Sequence, residues 1–194
     1  MLVILPFLMT LLLAVLWAIQ STTRPSGGGF FSFYRGLPPS EQDILEVQSA
    51  DRSNIALFEQ TDIDVVPAFL SVIPEKPYVT AYVVANNPLL HITALMLKLY
   101  YNRKRPYQVI RQDDDNTRPS SFPRSKTSRT PSYPSSHALQ AYALEKHLSK
   151  AYPKHAEAIS AMAERVSNAR IVGGVHYPSD KEFARHLAAV LPWL

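Results

Sequence analysis

The sequence predicts an all-α fold, a single helical-bundle domain, and two observations carry that prediction. Helix-start residues (Ser, Asn and Pro) stand in front of successive stretches of the chain, and those stretches have helical composition and spacing. The 194 residues are enough for one domain with a sizeable core, and 46% hydrophobic with 19% charged residues is ordinary for a globular protein. Because the chain has no cysteine, disulfides, zinc-thiolate sites and cysteine nucleophiles are excluded.

Residues 1–20 are interpreted as a signal peptide or an N-terminal membrane anchor. Met1–Ile19 carry no charge, and roughly 20 apolar residues span a bilayer as a helix. We therefore expect export to a periplasmic or extracellular location, or anchoring through a membrane tether at residues 1–19. The basic residues that usually precede a signal sequence are missing, so cleavage stays open, and an uncleaved helix could leave the domain in the cytoplasm. Residues 21–39 are predicted to be a linker and residues 40–194 the helical domain.

Capping signals mark the elements of this domain. Ser40, with Asp43 three residues later, has the arrangement of a capping box, and Asn87 followed by Pro88 combines a cap with a first-turn proline. Ser135 caps a further helix, and prolines open the last two. The predicted helices cover residues 41–58, 62–72, 88–102, 135–151, 153–169 and 178–191, while residues 78–85 fit either a helix or a strand.

A long polar stretch from Arg105 to Tyr133 contains four prolines and is predicted to be a loop. Loops of this length in compact domains are usually functional or disordered. Asp113–Asp115 within it could bind a divalent cation, although a solvated loop is the favoured interpretation. Other than Phe122, the basic residues between Arg118 and Arg129 lack interleaved aromatic residues for stacking on bases, so we expect no nucleic-acid partner.

Two short stretches at helix ends suggest an anion site. Lys98 and Arg105 place two cations near the end of the middle helix, although alone they could be a solvated basic helix terminus. Ser135, Ser136 and His137 begin the next helix, where backbone N–H groups without intrahelical partners attract an anion. Taken alone, this second stretch is better explained by an ordinary serine cap with an incidental histidine.

A third stretch contains Arg170, His176 and Asp180. A carboxylate bonded to one imidazole nitrogen fixes the tautomer and leaves the other nitrogen as a nucleophile. The alternative is a turn histidine beside a helix-capping aspartate. Together the three stretches supply cations, a helix N-terminus, two histidines and an orienting carboxylate. These are the parts needed for phosphoryl transfer without a metal: one histidine attacks and the other protonates the leaving group. The mild excess of positive charge, +4, also suits an anionic substrate.

In their order and spacing these motifs resemble the type 2 phosphatidic acid phosphatase (PAP2) superfamily, which includes bacterial class A acid phosphatases and vanadium haloperoxidases. The motifs read Lys98-x6-Arg105-Pro106, Pro134-Ser135-Ser136-His137 and Ala169-Arg170-x5-His176-x3-Asp180, and the resemblance covers roughly residues 88–190. It implies an all-helical, metal-independent phosphatase that hydrolyses phosphomonoesters through a phosphohistidine. By matching position, it implies that His176 is the nucleophile, Asp180 its partner and His137 the general acid. The phosphate-binding residues implied are Lys98, Arg105, Ser135, Ser136 (through its amide) and Arg170.

Two positions depart from the family pattern. Ser136 stands where the family usually has Gly, but only a backbone N–H is needed there. Ala169 replaces a Ser, which removes one hydroxyl contact, a loss of about 1 kcal/mol for an ordinary hydrogen bond. A non-catalytic phosphate-binding or scaffold protein therefore stays an alternative, as does a membrane-associated lipid phosphate phosphatase. Haloperoxidase chemistry is disfavoured because the chain is short. No cofactor is expected, and vanadate or phosphate could occupy the site; the expected partner is a phosphorylated small molecule or lipid phosphate.

Overall fold

The structure is a computed structural model, and it describes residues 37–53, 55–110, 119 and 121–191. The predicted signal peptide or anchor lies outside the described residues, as do Asp113–Asp115 and nearly all of the predicted linker. Within the described ranges the chain forms helices and no strand, which confirms the all-α fold. None of the helices in these ranges is long and apolar enough to cross a membrane.

Nine α-helices and one short 3-10 helix make up the described part of the domain. They are α1 (Glu41–Ser49), α2 (Ala56–Thr61), α3 (Val66–Leu70), α4 (Tyr78–Ala85), α5 (Pro88–Tyr101), α6 (Pro106–Val109), α7 (Ser136–Ala151), the 3-10 helix (Pro153–His155), α8 (Ala156–Val172) and α9 (Pro178–Val190).

Local side-chain chemistry explains where several helices begin. The Ser40 hydroxyl accepts a hydrogen bond from the Asp43 amide at 3.0 Å, and the Asp43 carboxylate accepts one from the Ser40 amide at 3.1 Å. This reciprocal pair is the capping box expected before α1. Asn87 caps α5 through a 2.9 Å bond from the Leu89 amide. Ser135 caps α7 by accepting a 3.3 Å bond from the Ala138 amide.

Some predicted boundaries are wrong. The single helix expected over residues 41–58 is divided between α1 and α2, because Asp51 accepts hydrogen bonds from the Ser53 amide and hydroxyl, both at 2.9 Å. Such local bonds offer the backbone an alternative to the helix. Residues 78–85 form a helix, and the predicted loop after Arg105 begins with the short helix α6.

Helix α7 lies at the centre of the bundle, where it contacts α4, α5, α8 and α9. Several of its buried side chains are small, since Ala138, Ala141 and Ala143 are fully buried beside fully buried leucines. Small residues let neighbouring helices approach closely, and each fully buried leucine contributes about 1.5–3 kcal/mol. The N-terminus of α7 is therefore held inside the fold, at the place where the other two motif stretches arrive.

Candidate active site

The three motif stretches meet around one cavity of about 240 Å³. Six of the eight predicted site residues line it: Lys98, Arg105, Ser136, His137, Arg170 and His176. The other two, Ser135 and Asp180, are fully buried, and the Ser135 amide donates to the Asp180 carbonyl oxygen at 3.2 Å. The volume lies below the roughly 300–1,000 Å³ of pockets for drug-sized ligands, which suits a phosphate group with a small part of its substituent.

His176 lies between α8 and α9 with both ring nitrogens engaged. Its Nδ1 is 3.1 Å from a carboxylate oxygen of Asp180, and its Nε2 is 3.2 Å from an Arg105 guanidinium nitrogen. Burial, followed by the positive charge of Arg105, lowers the pKa of His176 well below its usual value, so the ring is neutral near pH 7. A guanidinium can only donate. The proton of the neutral ring therefore sits on Nδ1 and the lone pair on Nε2.

The turn that presents His176 is tightly packed. Gly174 has φ +63°, a conformation that favours glycine, and a Cβ there would come within 2.6 Å of the Phe122 ring. A Cβ on Gly173 would come within 2.4 Å of the Phe58 ring. Two aromatic rings thus fix the backbone just before the histidine.

Asp180 in the first turn of α9 is bonded on both carboxylate oxygens. One oxygen accepts from the Tyr177 amide at 2.9 Å and faces His176, while the other accepts from Arg103 at 2.7 Å. Burial raises the pKa of Asp180, and Arg103 opposes that effect. Arg103 and the Tyr177 amide thus favour the ionised form of a carboxyl group that burial would otherwise keep protonated.

Arg103 and Asp43 belong to this network, and sequence reasoning assigned neither of them to the site. Arg103 bridges Asp180 to Asp43, donating to the Asp43 carboxylate at 2.9 Å and to the Ser179 hydroxyl at 2.7 Å. Burial raises the pKa of Asp43, but hydrogen bonds from Ser179 and Ser40 outweigh it, and the net pKa is lowered. Arg103 lies inside the Lys98–Pro106 motif, yet no local pattern indicated a carboxylate 60 positions away.

Two arginines supply positive charge to the cavity. Arg105 donates to the carbonyl oxygens of Thr130 at 2.7 Å and Val175 at 2.8 Å. Arg170 donates to the Phe58 carbonyl oxygen and the Thr61 hydroxyl. Burial lowers the pKa of each arginine to about 10, so both stay charged near neutral pH. The Nε of Arg170 is buried and has no hydrogen-bond partner among the described residues.

Lys98 borders the cavity but directs its ammonium group at the backbone. It donates to the carbonyl oxygens of Pro131, Ser132 and Pro134 at 2.6–3.1 Å, which uses all three of its N–H groups. Burial, followed by Arg105, lowers the pKa of Lys98 well below its usual value. In this arrangement Lys98 fastens the segment before α7, and a direct contact with phosphate would require one of these bonds to exchange.

His137 lies in the first turn of α7 with its Nε2 2.9 Å from the Asp62 carbonyl oxygen. A carbonyl only accepts, so Nε2 carries a proton. Burial, with the charge of Arg170 second, lowers the pKa of His137 to about 3. The ring is therefore neutral in the empty site at ordinary pH, and a proton for acid catalysis must arrive with the substrate or in response to its charge.

Asp62 is a third residue that the sequence did not assign to the site. Its carboxylate accepts from the Ser125 hydroxyl at 2.7 Å, the Lys126 amide at 2.6 Å and the Thr127 hydroxyl at 3.1 Å. It also pairs with Arg170 at 3.4 Å. Burial raises the pKa of Asp62, but the three hydrogen bonds lower it overall. Asp62 thus ties residues 125–127 to the cavity wall, and only its three-dimensional setting reveals that role.

The two departures from the family pattern lie at different depths. Ser136 is half-buried on the cavity wall in the first turn of α7. Ala169 is 6% exposed and packs with Phe58 and Val175 in a small apolar cluster. Among the described residues, no group of three or more histidine, aspartate or glutamate side chains is placed to hold a metal ion.

Comparison with known families gives one result. A family model described as the PAP2 superfamily matches residues 78–194, a range that includes all eight predicted site residues. A search of the curated proteins found no match.

Proposed function

The chain belongs to the PAP2 superfamily, whose members have phosphatase-type activity, and we propose that it hydrolyses phosphomonoesters without a metal, through a phosphohistidine intermediate. The observation that carries this proposal is the setting of His176. The ring is neutral and buried, its Nδ1–H donates to Asp180, and its Nε2 lone pair accepts a hydrogen bond from Arg105. The lone pair becomes free to attack when that Arg105 N–H turns to a phosphate oxygen. An imidazole held in this way is a prepared nucleophile.

In the first step the Nε2 lone pair of His176 attacks phosphorus as the bond to the leaving-group oxygen breaks. Asp180 stabilises the positive charge that develops on the imidazole, since it already accepts the Nδ1 proton. Arg105 and Arg170 neutralise the equatorial phosphate oxygens, with the first-turn amides of α7 as further donors. The leaving oxygen takes a proton from His137, which has first received the proton of the bound phosphate monoanion.

In the second step water attacks the phosphohistidine. His137, now neutral, accepts a proton from that water as the P–N bond breaks. It then returns the proton to inorganic phosphate, which leaves with His176 and His137 restored. Because His137 is neutral in the empty site, the substrate that binds productively is the phosphate monoanion, which brings the proton with it. Ser135, Ser136 and Lys98 complete the proposed phosphate site, Lys98 chiefly through its charge.

A lipid phosphate is a second candidate substrate, favoured by one observation. Asn86 and His91 line the cavity, and they belong to the region of α4 and α5 that carries exposed apolar side chains. A substrate with an apolar tail could therefore reach the cavity along that surface.

The test is hydrolysis of an aryl phosphate by the full chain in excess chelator, beside His176→Ala and the control His147→Ala, which changes an exposed histidine of α7. We expect turnover that survives chelation, is lost in His176→Ala and persists in the control. Alkaline quenching followed by mass spectrometry should locate the phosphoryl group on His176. Full activity of His176→Ala, or loss of activity with chelator, would refute the mechanism. Parallel assay of a dispersed lipid phosphate separates the two substrate classes, and phosphate binding without turnover would indicate a non-catalytic protein.

A further inference from the structure

Helices α4 and α5 expose an unusual amount of apolar surface, here called the outer face. It comprises nine side chains, each at least 40% exposed: Tyr78, Val79, Tyr82 and Val83 on α4, and Ile92, Leu95, Met96, Leu99 and Tyr100 on α5. Only three other large apolar side chains of the described residues are comparably exposed, so this surface is concentrated on two neighbouring helices. Scattered exposed apolar residues need no explanation, whereas a concentration of them marks an interaction site.

The outer face is opposite the packed side of these helices. Both α4 and α5 contact α7, and Leu90, Ala94 and Leu97 form the buried stripe of α5. The exposed stripe of α5 has the spacing i, i+3, i+4, i+7 and i+8, beginning at Ile92. Helix α5 is therefore apolar on both sides, a property of helices that are buried or in contact with lipid rather than water.

Charge is absent from this surface. Lys98 is the one Lys, Arg, Asp or Glu between residues 78 and 101, and it is 3% exposed because its ammonium group donates to buried backbone carbonyl oxygens. The face also carries three tyrosines, whose amphipathic rings favour the boundary between hydrocarbon and headgroups. A protein partner would ordinarily be met by a polar rim around the apolar centre.

We propose that the outer face rests on a lipid bilayer, with its apolar side chains at the boundary between headgroups and acyl chains. The path of the chain supports this occupant. The Leu37 amide donates to the carbonyl oxygen of Tyr101 at 2.9 Å, so the segment before residue 37 joins the domain at the end of α5, beside Leu99 and Tyr100. If the uncharged run Met1–Ile19 forms a helix, its length is about 28 Å, close to the roughly 30 Å hydrocarbon thickness of a bilayer.

An anchor and the outer face can meet the same membrane. The residues between Ile19 and Leu37 reach at most about 60 Å when extended, which is ample for both contacts. The apolar run is a poorer occupant by itself, because it is apolar all round and would leave half of its own surface in water after docking on α5. The bilayer covers both surfaces at once.

The absence of cysteine from the chain allows a direct test. Single cysteines are introduced by Val83→Cys and Leu99→Cys, with Leu45→Cys as the control, because Leu45 of α1 is 58% exposed and lies outside the outer face. Each full-length variant is labelled with an environment-sensitive fluorophore and reconstituted into phosphatidylcholine vesicles. Quenching is then measured with nitroxides on the lipid acyl chains and with iodide in the water.

We expect lipid nitroxides to quench the labels at residues 83 and 99 several-fold more than the label at residue 45, and iodide to show the reverse order. A label at either position as open to iodide as the control would overturn the proposal, since the domain would then be tethered but not docked. Shielding from iodide without lipid quenching would overturn it in favour of the N-terminal run or a second copy of the chain. Neither measurement depends on phosphatase activity, so failure of the proposed reaction leaves this test intact.

Discussion

Replacement of Arg103 by Met should slow the reaction although Arg103 does not line the cavity. Its guanidinium lies 2.7 Å from Asp180 and 2.9 Å from Asp43, and both carboxylates have at most 7% of their side chains exposed. Removing one partner of a buried ion pair costs about 3–5 kcal/mol. If about 3 kcal/mol of this appears in the transition state through misplacement of His176, kcat falls about 100-fold.

The pH profile distinguishes a positioning role from a merely structural one. Loss of the Arg103 cation raises the pKa of Asp180 further, so the carboxylate is protonated over a wider acidic range. The acid limb of kcat should therefore move to higher pH, while KM for an aryl phosphate changes little. Arg185→Met is the control, because Arg185 also stacks on an aromatic ring and pairs with carboxylates, but its side chain is 46% exposed and does not line the cavity. An equal loss of activity at every pH, or none after correction for unfolded protein, would refute the reasoning.

Three further outcomes follow from the charges of the site. Because His137 has a pKa of about 3 in the empty site, the proton must come from the substrate, and kcat/KM should fall above about pH 6, the second pKa of a phosphate ester. The pH at which kcat/KM falls should change with the pKa of the substrate. A fall at the same pH for substrates of different pKa would contradict this source of the proton. His176 is neutral in the folded protein, but in the unfolded chain it is protonated below about pH 6.5. The unfolded chain therefore binds more protons, and the free energy of unfolding should fall as the pH falls. The contribution of His176 to this fall is about 1.4 kcal/mol per pH unit. Denaturant titrations at pH 5, 6 and 7 should show that the free energy of unfolding depends less on pH in His176→Phe than in the unchanged protein. An equal pH dependence in the two proteins would exclude this contribution. Asp62→Asn removes a negative charge that pairs with Arg170 and competes with phosphate for it. Inorganic phosphate should therefore bind the variant more tightly, with an inhibition constant about fivefold lower, equivalent to about 1 kcal/mol. An unchanged inhibition constant would show that Asp62 does not compete with phosphate.

Local chemistry made much of the fold predictable. Capping boxes and proline starts depend on residues three or four positions apart, so Ser40, Asn87 and Ser135 could be read directly and the structure confirms them as caps. The break between α1 and α2 was also local, but the Asp51–Ser53 turn competes with a helix of good composition, and propensity alone does not decide that competition.

The residues that line the candidate site could be predicted from the sequence, but the hydrogen-bond partners that hold them in place could not. The spacing of the three motifs indicated that His137, Arg170 and His176 would meet, and they line one cavity. The hydrogen bond from Arg103 to Asp180 joins side chains that are far apart in the sequence and meet only in the folded bundle. No motif or periodicity in a single sequence indicates such a pair. For the same reason the carbonyl partners of Lys98 could not be foreseen.

The buried charges of the described residues all gather at this site. The set consists of four basic side chains, Lys98, Arg103, Arg105 and Arg170, and three acidic ones, Asp43, Asp62 and Asp180. Formally the empty site therefore lacks one counter-ion, and inorganic phosphate can supply it. Under the proposed reaction this ion is also the product. Its binding should raise the melting temperature of the domain, and the same electrostatic attraction should slow its dissociation. We therefore expect release of phosphate, rather than cleavage of the ester, to be the rate-limiting step.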